Sequence, residues 1–185
     1  MFTLITPPTT EPISLSELKS ALRIGHSNDD TIITQMVLTA RTFVERRLDL
    51  ALLPQTWSLT LDHVPSGLVY LRPSRVTTIV SVTAQYGEDP AMTLSNDDWC
   101  LFKRQPAQMT IDAPSSQGGQ ALNELTIIFD AGFASSTDIP ADLLRALYML
   151  TAHYYEEREA FAAQRYVPVP YGVEALLAAY KEVRL

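Results

Sequence analysis

The sequence predicts an α+β fold, in which a small antiparallel β domain is inserted between the second and third helices of a helical bundle. Three observations favour this fold. The spacing of apolar residues changes from a helical period to an alternating one near Gln55, and the helical period returns near Asp138. Pro168 and Pro170 then interrupt the helical pattern before a last helix, because proline cannot continue a helix. With 185 residues, 46% of them hydrophobic, we expect one compact structural unit.

Residues 1–53 are predicted to form an N-terminal arm and two helices of the bundle. Ser14 and Glu17 fit a capping box, so the first helix should begin directly after Ser14, and Gly25 is expected to end it. The second helix should start near Asp29 and Asp30, whose charges favour a helix N-terminus. Its apolar face consists of Ile32, Ile33, Met36, Val37, Ala40, Val44 and Leu48.

Residues 54–133 are predicted to be the inserted β segment, since short alternating runs are separated there by turn-forming residues. Residues 134–162 should form the third helix, with Asp138 as its cap and Pro140 in its first turn. Residues 163–185 are read as an extended linker and a C-terminal helix. The strand candidates are 56–61, 68–71, 78–82, 99–102, 109–111 and 125–129.

The charge and the cysteine content exclude several classes of protein. The formal net charge of −7 makes the chain a poor candidate for gripping the phosphates of nucleic acid. Cys100 is the only cysteine, so it has no partner for an intramolecular disulfide or for a cysteine-based zinc site. The N-terminus lacks the pattern of a signal peptide, and no apolar run approaches the roughly 18 residues of a membrane span. We therefore expect synthesis in a cytoplasm and no membrane contact.

The titratable residues form no recognisable catalytic pattern. An enzyme site would have to assemble from Asp62, His63, Asp97 and Asp98, as in a small metal-dependent hydrolase, but their spacing does not require it. The sequence also contains no phosphate-binding glycine loop and no nucleophile motif. We therefore expect no enzymatic activity, no cofactor and no bound metal, and a role in binding or structure.

The C-terminal helix is the most informative segment for function. Val173, Leu176, Leu177, Tyr180 and Val183 form an apolar stripe on a helix too short to be stable alone in water. The stripe can fold back on the chain's own core, or it can lie in the groove of a partner. The residues alone leave both alternatives open.

An ordered set of short motifs resembles the head–tail connector (adaptor) proteins of long-tailed bacteriophages and phage-like gene transfer agents. The resemblance covers the chain from Thr6 to about Glu159, in the same order. The motifs are Thr6-Pro7-Pro8, Glu11-Pro12-Ile13-Ser14-Leu15-Ser16-Glu17-Leu18-Lys19, Leu22-Arg23-Ile24, Asp29-Asp30, Ala40-Arg41, Val44-Glu45, Gln55-Thr56-Trp57, Ala131-Gly132-Phe133, Ile139-Pro140-Ala141-Asp142-Leu143 and Ala152-His153-Tyr154-Tyr155-Glu156-Glu157-Arg158-Glu159.

The resemblance implies a structural virion protein of the neck, at the head–tail interface. It implies a ring of about twelve copies, docked under the portal protein and above a tail terminator or stopper protein, with DNA passing through the lumen without sequence-specific binding. Members of the family are not enzymes, and their C-terminal segment commonly engages the portal. The portal-binding role is therefore carried over to Tyr171, Val173, Leu176, Leu177, Tyr180, Val183 and Leu185.

Two further expectations concern the ring. A ring uses two different, complementary patches, and we expect an arginine-bearing face of the second helix and an acidic cluster near the end of the third to supply them, unless both are simply solvated faces. Residues 54–133 hold four basic and eight acidic residues, net 4 − 8 = −4, which favours a lumen that repels DNA. A free-standing host adaptor domain remains an alternative to the ring. The patch residues are Arg41, Arg46, Arg47, Glu156, Glu157 and Glu159.

Overall fold

The chain forms two compact units in a computed structural model, which describes residues 1–157 and 170–181. The β unit consists of Met1–Pro8 and Asp49–Phe133. The helical unit consists of Thr9–Leu48 and Ala134–Leu185. The predicted α+β class is confirmed, since helices and two antiparallel sheets are both present.

The helical unit contains α1 (Leu15–Leu22), α2 (Asp30–Leu48), α3 (Ala141–Glu156) and α4 (Tyr171–Ala178), with a short 3₁₀ turn at Ser136–Asp138. α2 packs on α1 and on α3, and α3 packs on α4. Apolar side chains at helical spacing fill the core, which is why these sequences are stable as helices only when packed together. The core residues are Leu18, Ile33, Val37, Ala40, Val44, Leu48, Leu143, Ala146, Leu147, Leu150, Val173 and Leu177.

The two ends of α1 show where local sequence signals succeed and fail. The predicted capping box is present, because Ser14 Oγ accepts from the Glu17 amide at 3.2 Å and the Ser14 amide donates to Glu17 Oε2 at 2.8 Å. The prediction that Gly25 ends the helix is wrong. Arg23 adopts the left-handed conformation instead, with φ 56°, and the Ile24 amide donates to the Lys19 carbonyl at 2.9 Å. The closing turn is therefore complete before the glycine is reached.

The β unit contains nine strands in two main sheets. The larger sheet has the order β1-β2-β9-β4-β5, with β8 paired to β9, and the smaller has the order β3-β7-β6. Every strand pair is antiparallel. The strands are β1 (Phe2–Thr6), β2 (Gln55–Leu61), β3 (Val69–Leu71), β4 (Val76–Tyr86), β5 (Met92–Thr93), β6 (Trp99–Phe102), β7 (Ala107–Ile111), β8 (Ser116–Gln117) and β9 (Gln120–Ala131).

One apolar core serves both sheets of the β unit. Alternate residues of β9, namely Leu125, Ile127 and Phe129, are buried, as the two-residue period of a strand requires. They belong to the same buried cluster as Leu71 of β3 and Met109 of β7, which come from the smaller sheet. The two sheets therefore enclose a shared hydrophobic interior.

The first residues of the chain belong to the β unit. The sequence predicts them as an extended arm beside the first two helices, whereas the structure pairs β1 with β2 in the large sheet. A five-residue run without turn residues is compatible with both, and only the pairing partner distinguishes them.

Gly132 closes the β unit where β9 ends. Its φ is +126°, a conformation that L side chains rarely adopt, and a Cβ there would lie 2.2 Å from the Leu53 carbonyl oxygen. Its amide donates to the Arg75 carbonyl at 3.1 Å, and the Arg75 guanidinium stacks on the Phe133 ring, 3.7 Å from its centroid. The Ala131-Gly132-Phe133 motif therefore requires glycine at its centre, because the backbone of Leu53 passes too close for a side chain.

Candidate functional site

The residues considered for an enzyme site in the β unit, Asp62, His63, Asp97 and Asp98, do not form a metal site. His63 Nδ1 lies 2.6 Å from Asp62 Oδ1, both side chains are exposed, and this hydrogen bond lowers the pKa of Asp62. Asp98 instead accepts from the Ser95 amide at 2.7 Å, which holds a turn, and Asp97 is exposed. Across residues 1–157 and 170–181, no group of three or more His, Cys, Asp or Glu side chains is placed to hold a metal. The hydrolase alternative is not supported.

The helix that the sequence assigns to the portal, α4, packs within its own unit. Val173 and Leu177 are fully buried, Leu176 and Tyr180 are half-buried, and Tyr171 is 88% exposed. A Cβ on Gly172 would come within 2.8 Å of the Met149 methyl carbon, so α4 lies close against α3. The remaining predicted portal-binding residues, Val183 and Leu185, lie outside the described residues. Of the two alternatives for the stripe, the structure shows folding back for Val173 and Leu177.

Ion pairs connect α4 to the end of α2. Arg47 donates to both carboxylate oxygens of Glu174, at 3.2 and 3.0 Å, and Lys181 Nζ donates to the same carboxylate at 2.9 Å. The hydrogen bond from Arg47, followed by that from Lys181, lowers the pKa of Glu174. Because these side chains remain a third to a half exposed, each pair contributes little by itself.

Arg41 holds the helical unit together instead of presenting a charge at an edge. Its side chain is 8% exposed and donates to Glu11 Oε2 and to Glu45 Oε2, each at 2.8 Å. Burial works to lower the pKa of Arg41, but the hydrogen bond to Glu11 and the charge of Glu45 outweigh it, so the pKa is raised. Arg41 is therefore not available as one of the predicted ring-edge residues, because both its charge and its surface are already used inside the unit.

The other predicted edge residues are exposed where they are described. Arg46 and Arg47 lie at the end of α2, and Glu156 and Glu157 lie at the end of α3. Glu159 lies outside the described residues. Arg46 and Arg47 border an open groove of about 590 Å³ on the helical unit. The groove is otherwise lined by Leu38, Thr39, Thr42, Phe43 and Tyr154.

The lining of the groove combines apolar side chains with two arginines. Leu38 is an exposed large apolar side chain, Tyr154 is half-buried, and burial raises the pKa of the Tyr154 phenol. Such a surface suits an apolar segment that carries carboxylates. The groove is therefore one candidate for protein–protein contact on the helical unit.

Sequence reasoning did not predict the ion-pair partners of Arg41, which is buried, or of Arg47, which connects α2 to α4. The i,i+4 spacing of Arg41 and Glu45 is a local signal that could have predicted one ion pair. The partner Glu11 lies 30 residues before Arg41, and Glu174 lies 127 residues after Arg47. No pattern in a single sequence indicates contacts at such separations, so only the fold reveals them.

Comparison with known proteins bears on these surfaces. Residues 12–89 match the sequence model of a family described as "Phage gp6-like head-tail connector protein". The resemblance to head–tail connector proteins is confirmed. The connector match covers α1, α2 and the first strands that follow, with the ion pair between Arg41 and Glu45 inside it. No curated protein matches the chain.

Solved structures resemble this chain over its full length. A chain from a structure described as "Virion of native gene transfer agent (GTA) particle" is 25% identical, with a TM-score of 0.81. A chain from "Neck of empty GTA particle computed with C6 symmetry" is 23% identical, with a TM-score of 0.83. A third, from "Neck of native GTA particle computed with C12 symmetry", is 22% identical, with a TM-score of 0.74. Each comparison covers 100% of this chain and 97% of the other.

These neighbours are components of virion-like particles. Within the described residues, no helix combines the length and the apolar character needed to cross a bilayer.

Proposed function

We propose that this chain is a structural subunit of the neck of a phage or phage-like particle, where about twelve copies form a ring between the portal protein and a tail terminator or stopper protein. The observation that carries the proposal is the fold match along the whole chain to a gene transfer agent virion subunit at 25% identity. The connector family match over residues 12–89 supports the same role.

The proposed architecture of the subunit is a helical bundle with the β unit inserted between α2 and α3. The order of elements supports this, because all strands except β1 fall between Leu48 and Ala141. The two chain segments of the helical unit, before and after the insertion, share one buried core through α2 and α3. This arrangement lets one unit serve as the scaffold while the other carries a separate surface.

Ring contacts between copies are proposed at the groove beside Arg46 and at the acidic end of α3. A head-to-tail ring needs two different patches that complement each other. The exposed guanidiniums of Arg46 and Arg47 and the exposed carboxylates of Glu156 and Glu157 have opposite charges, which supports their pairing between neighbours. Arg41 is excluded from this contact because it is buried.

Portal docking is proposed for the C-terminal segment that includes α4. α4 has eight residues, so it is not stable without a surface to pack on. Its exposed Tyr171 is directly available to a partner, whereas Val173 and Leu177 become available only when α4 leaves its own unit. The shallow ion pairs of Glu174 support a reversible attachment.

The proposed lumen role is passive. The β unit segment 54–133 has a net charge of −4, so a lumen formed from it repels the DNA phosphates and does not grip them. The connector family and its structural neighbours are particle components, which supports a role without catalysis.

The test is assembly on the portal ring. The full chain, purified without a tag, is mixed with the portal protein, and the mass and symmetry of the product are measured by native mass spectrometry and electron microscopy. We expect a ring of added subunits on the portal. A chain that folds but never joins a portal or a neck particle overturns the proposal and favours the free-standing adaptor.

The portal-docking helix is tested by truncation and by a matched pair of tyrosine variants. A chain that ends at Gln164 is expected to keep its β unit fold and lose portal attachment. Tyr171→Ala should weaken attachment roughly tenfold, as loss of an exposed aromatic anchor does. Tyr70→Ala, which removes an exposed tyrosine of the β unit, should leave attachment unchanged. Attachment that survives the truncation shows that the portal binds elsewhere.

A further inference from the structure

The large sheet ends in an open edge at β1. Within the described residues, β1 is paired only with β2, so its other side has no strand beside it. Met1 and Thr60 exchange both backbone hydrogen bonds, since the Thr60 amide donates to the Met1 carbonyl at 2.9 Å and the Met1 amino group donates to the Thr60 carbonyl at 2.5 Å. Such pairs alternate with non-bonded pairs in an antiparallel ladder.

The register identifies which groups face the open edge. It runs without a shift from Phe2 opposite Leu59 to Leu4 opposite Trp57. Thr3 therefore bonds back to β2, whereas Phe2 and Leu4 direct their amide N–H and carbonyl groups away from the sheet. Two residues of β1 present unused donors and acceptors to a further strand.

The side chains at this edge lack the devices by which proteins protect an exposed strand. Every residue of β1 is exposed, none is charged, and Phe2, Leu4 and Ile5 are large apolar side chains. The register shift near Ile5 comes only after the regular part of the strand. Exposed edges in soluble proteins usually carry lysine, proline or a bulge within them, because an unprotected edge pairs with other chains.

The opposite end of the same sheet has a second open stretch, the first half of β4. β5 covers β4 only from Val82 onward, where the Leu94 amide donates to the Val82 carbonyl at 2.8 Å. Val76–Ser81 therefore has no strand on that side among the described residues. This stretch is also uncharged, and Val80 is 55% exposed.

The directions of these two edges fit a head-to-tail contact. Three antiparallel steps separate β1 from β4, through β2 and β9, so β1 and β4 run in opposite directions. Copies related by rotation about an axis along the strands all have the same orientation. The β1 of one copy therefore meets the β4 of the next copy as an antiparallel pair, the arrangement that the rest of the sheet already uses.

We propose that β1 of one copy adds to the open edge of β4 in the adjacent copy, so that the large sheets of neighbouring subunits are continuous across their interface. The proposal rests on the proposed function, because it supplies a ring contact. A second copy is the partner that pairs both open edges. The β1 edge of each copy covers the β4 edge of the next, and the contact repeats until the ring closes.

The contact is short, which suits assembly on a template. β1 offers outward backbone groups at only two residues, and bulges at Thr77 and Val80 shift the register of β4 against β9, which limits the length of any strand paired there. An isolated two-strand contact of this size is marginal in water. It gains from ring closure, where each subunit is held on both sides.

Lysine substitution at each edge tests the proposal on the full chain in the portal assembly described above. Leu4→Lys and Val80→Lys place a charge in the pairing edge and should each lower the yield of closed rings roughly tenfold or more. Leu4→Pro removes the outward amide of Leu4 and should act in the same way. Leu68→Lys is the matched control, because Leu68 is 47% exposed, against 40% for Leu4, and precedes β3 outside both edges. Tryptophan fluorescence checks that each variant is folded.

Mixing the variants distinguishes head-to-tail pairing from other uses of β1. In a one-to-one mixture, the intact β1 of Val80→Lys can pair with the intact β4 of Leu4→Lys, so chemical crosslinking should give mixed dimers and few larger species. Normal rings with Val80→Lys show that β4 is not the partner, and normal rings with Leu4→Lys and Leu4→Pro show that β1 is not used. Either result overturns the inference while the ring itself stands. Failure of the unmodified chain to assemble overturns the proposed function instead.

Discussion

The two units of this chain differ in the contacts that join their own distant segments. In the β unit, distant segments meet through backbone pairing, as when β2 and β4 both bond to β9 over most of its length. In the helical unit, distant segments meet through side chains, such as the Tyr155 hydroxyl that donates to Asp29 at 2.8 Å and the carboxylate of Glu174 that binds Arg47. Opening a backbone-paired unit breaks several hydrogen bonds at once, whereas an element joined by side chains, such as α4, opens at a smaller cost.

Gly132→Ala tests the backbone-held unit and has the largest expected effect. The positive φ costs roughly 1–3 kcal/mol with a Cβ, and the clash with the Leu53 carbonyl costs roughly 1–3 kcal/mol more. Both tryptophans, Trp57 and Trp99, lie in the β unit, so the denaturant midpoint of tryptophan fluorescence reports on this unit alone. We expect that midpoint to fall sharply.

Gly67→Ala is the matched control for this prediction. Gly67 has nothing within 4 Å of a Cβ and lies in the same unit, so Gly67→Ala should change the free energy of unfolding by less than about 0.5 kcal/mol and leave the midpoint almost unchanged. A Gly132→Ala protein as stable as the control would mean that the crossing at Leu53 is not rigid, and the contrast between the units would weaken.

Arg41→Ala tests the side-chain-held unit. Removing the guanidinium leaves Glu11 and Glu45 facing each other without a cation, at a cost of about 2–3 kcal/mol, below that of a fully buried broken pair because both carboxylates reach water. The loss should be seen in the helical circular dichroism at low denaturant, before the tryptophan signal changes.

Arg46→Ala provides the comparison, since Arg46 is an exposed arginine on the same helix and its loss should change stability by less than about 0.5 kcal/mol. If Arg41→Ala shifts the unfolding transitions seen by tryptophan fluorescence and by circular dichroism together, the two units unfold as one. Their different contacts then do not give them separate stabilities.

The same distinction explains what could be predicted from the sequence. The alternation of Thr56–Leu61 and the helical spacing from Ile33 to Leu48 predict elements close to β2 and α2, because both signals are local. The pairing of β1 with β2 could not be predicted, because a register between segments more than 50 residues apart has no local pattern. The wrong end predicted at Gly25 has a different cause, because local hydrogen bonds of Arg23 and Ile24 already close α1 before the glycine.

The candidate surfaces were predicted less completely than the fold. The stripe of α4 follows from its spacing, but its burial against α3 depends on where α3 lies. Arg41 has the same residue type and helix as Arg46, so composition could not separate the buried arginine from the exposed one. The portal-binding and ring-edge residues stay predictions, because each concerns a partner that lies outside this chain.

A pH titration of α4 has the smallest expected effect and bears most directly on its release. The pKa of Glu174 is lowered by Arg47 and Lys181 while α4 packs on its own unit. The packed state of α4 therefore binds a proton less readily than the released state. The contribution of this carboxylate to the stability of packed α4 is therefore fully present above pH 4.5, the ordinary pKa of glutamate. It is lost as the pH falls below 4.5 and through the lowered pKa of Glu174. Hydrogen exchange of α4 amides, corrected for intrinsic rates, should speed up over that range.

Glu174→Gln should weaken the packing of α4 on its own unit by about 0.2–1 kcal/mol at neutral pH and remove the pH dependence. The control Glu88→Gln, in the β unit, should keep the pH dependence. If the dependence survives in Glu174→Gln, α4 is held chiefly by the burial of Val173 and Leu177, and its release for a partner must then depend on competing apolar contacts.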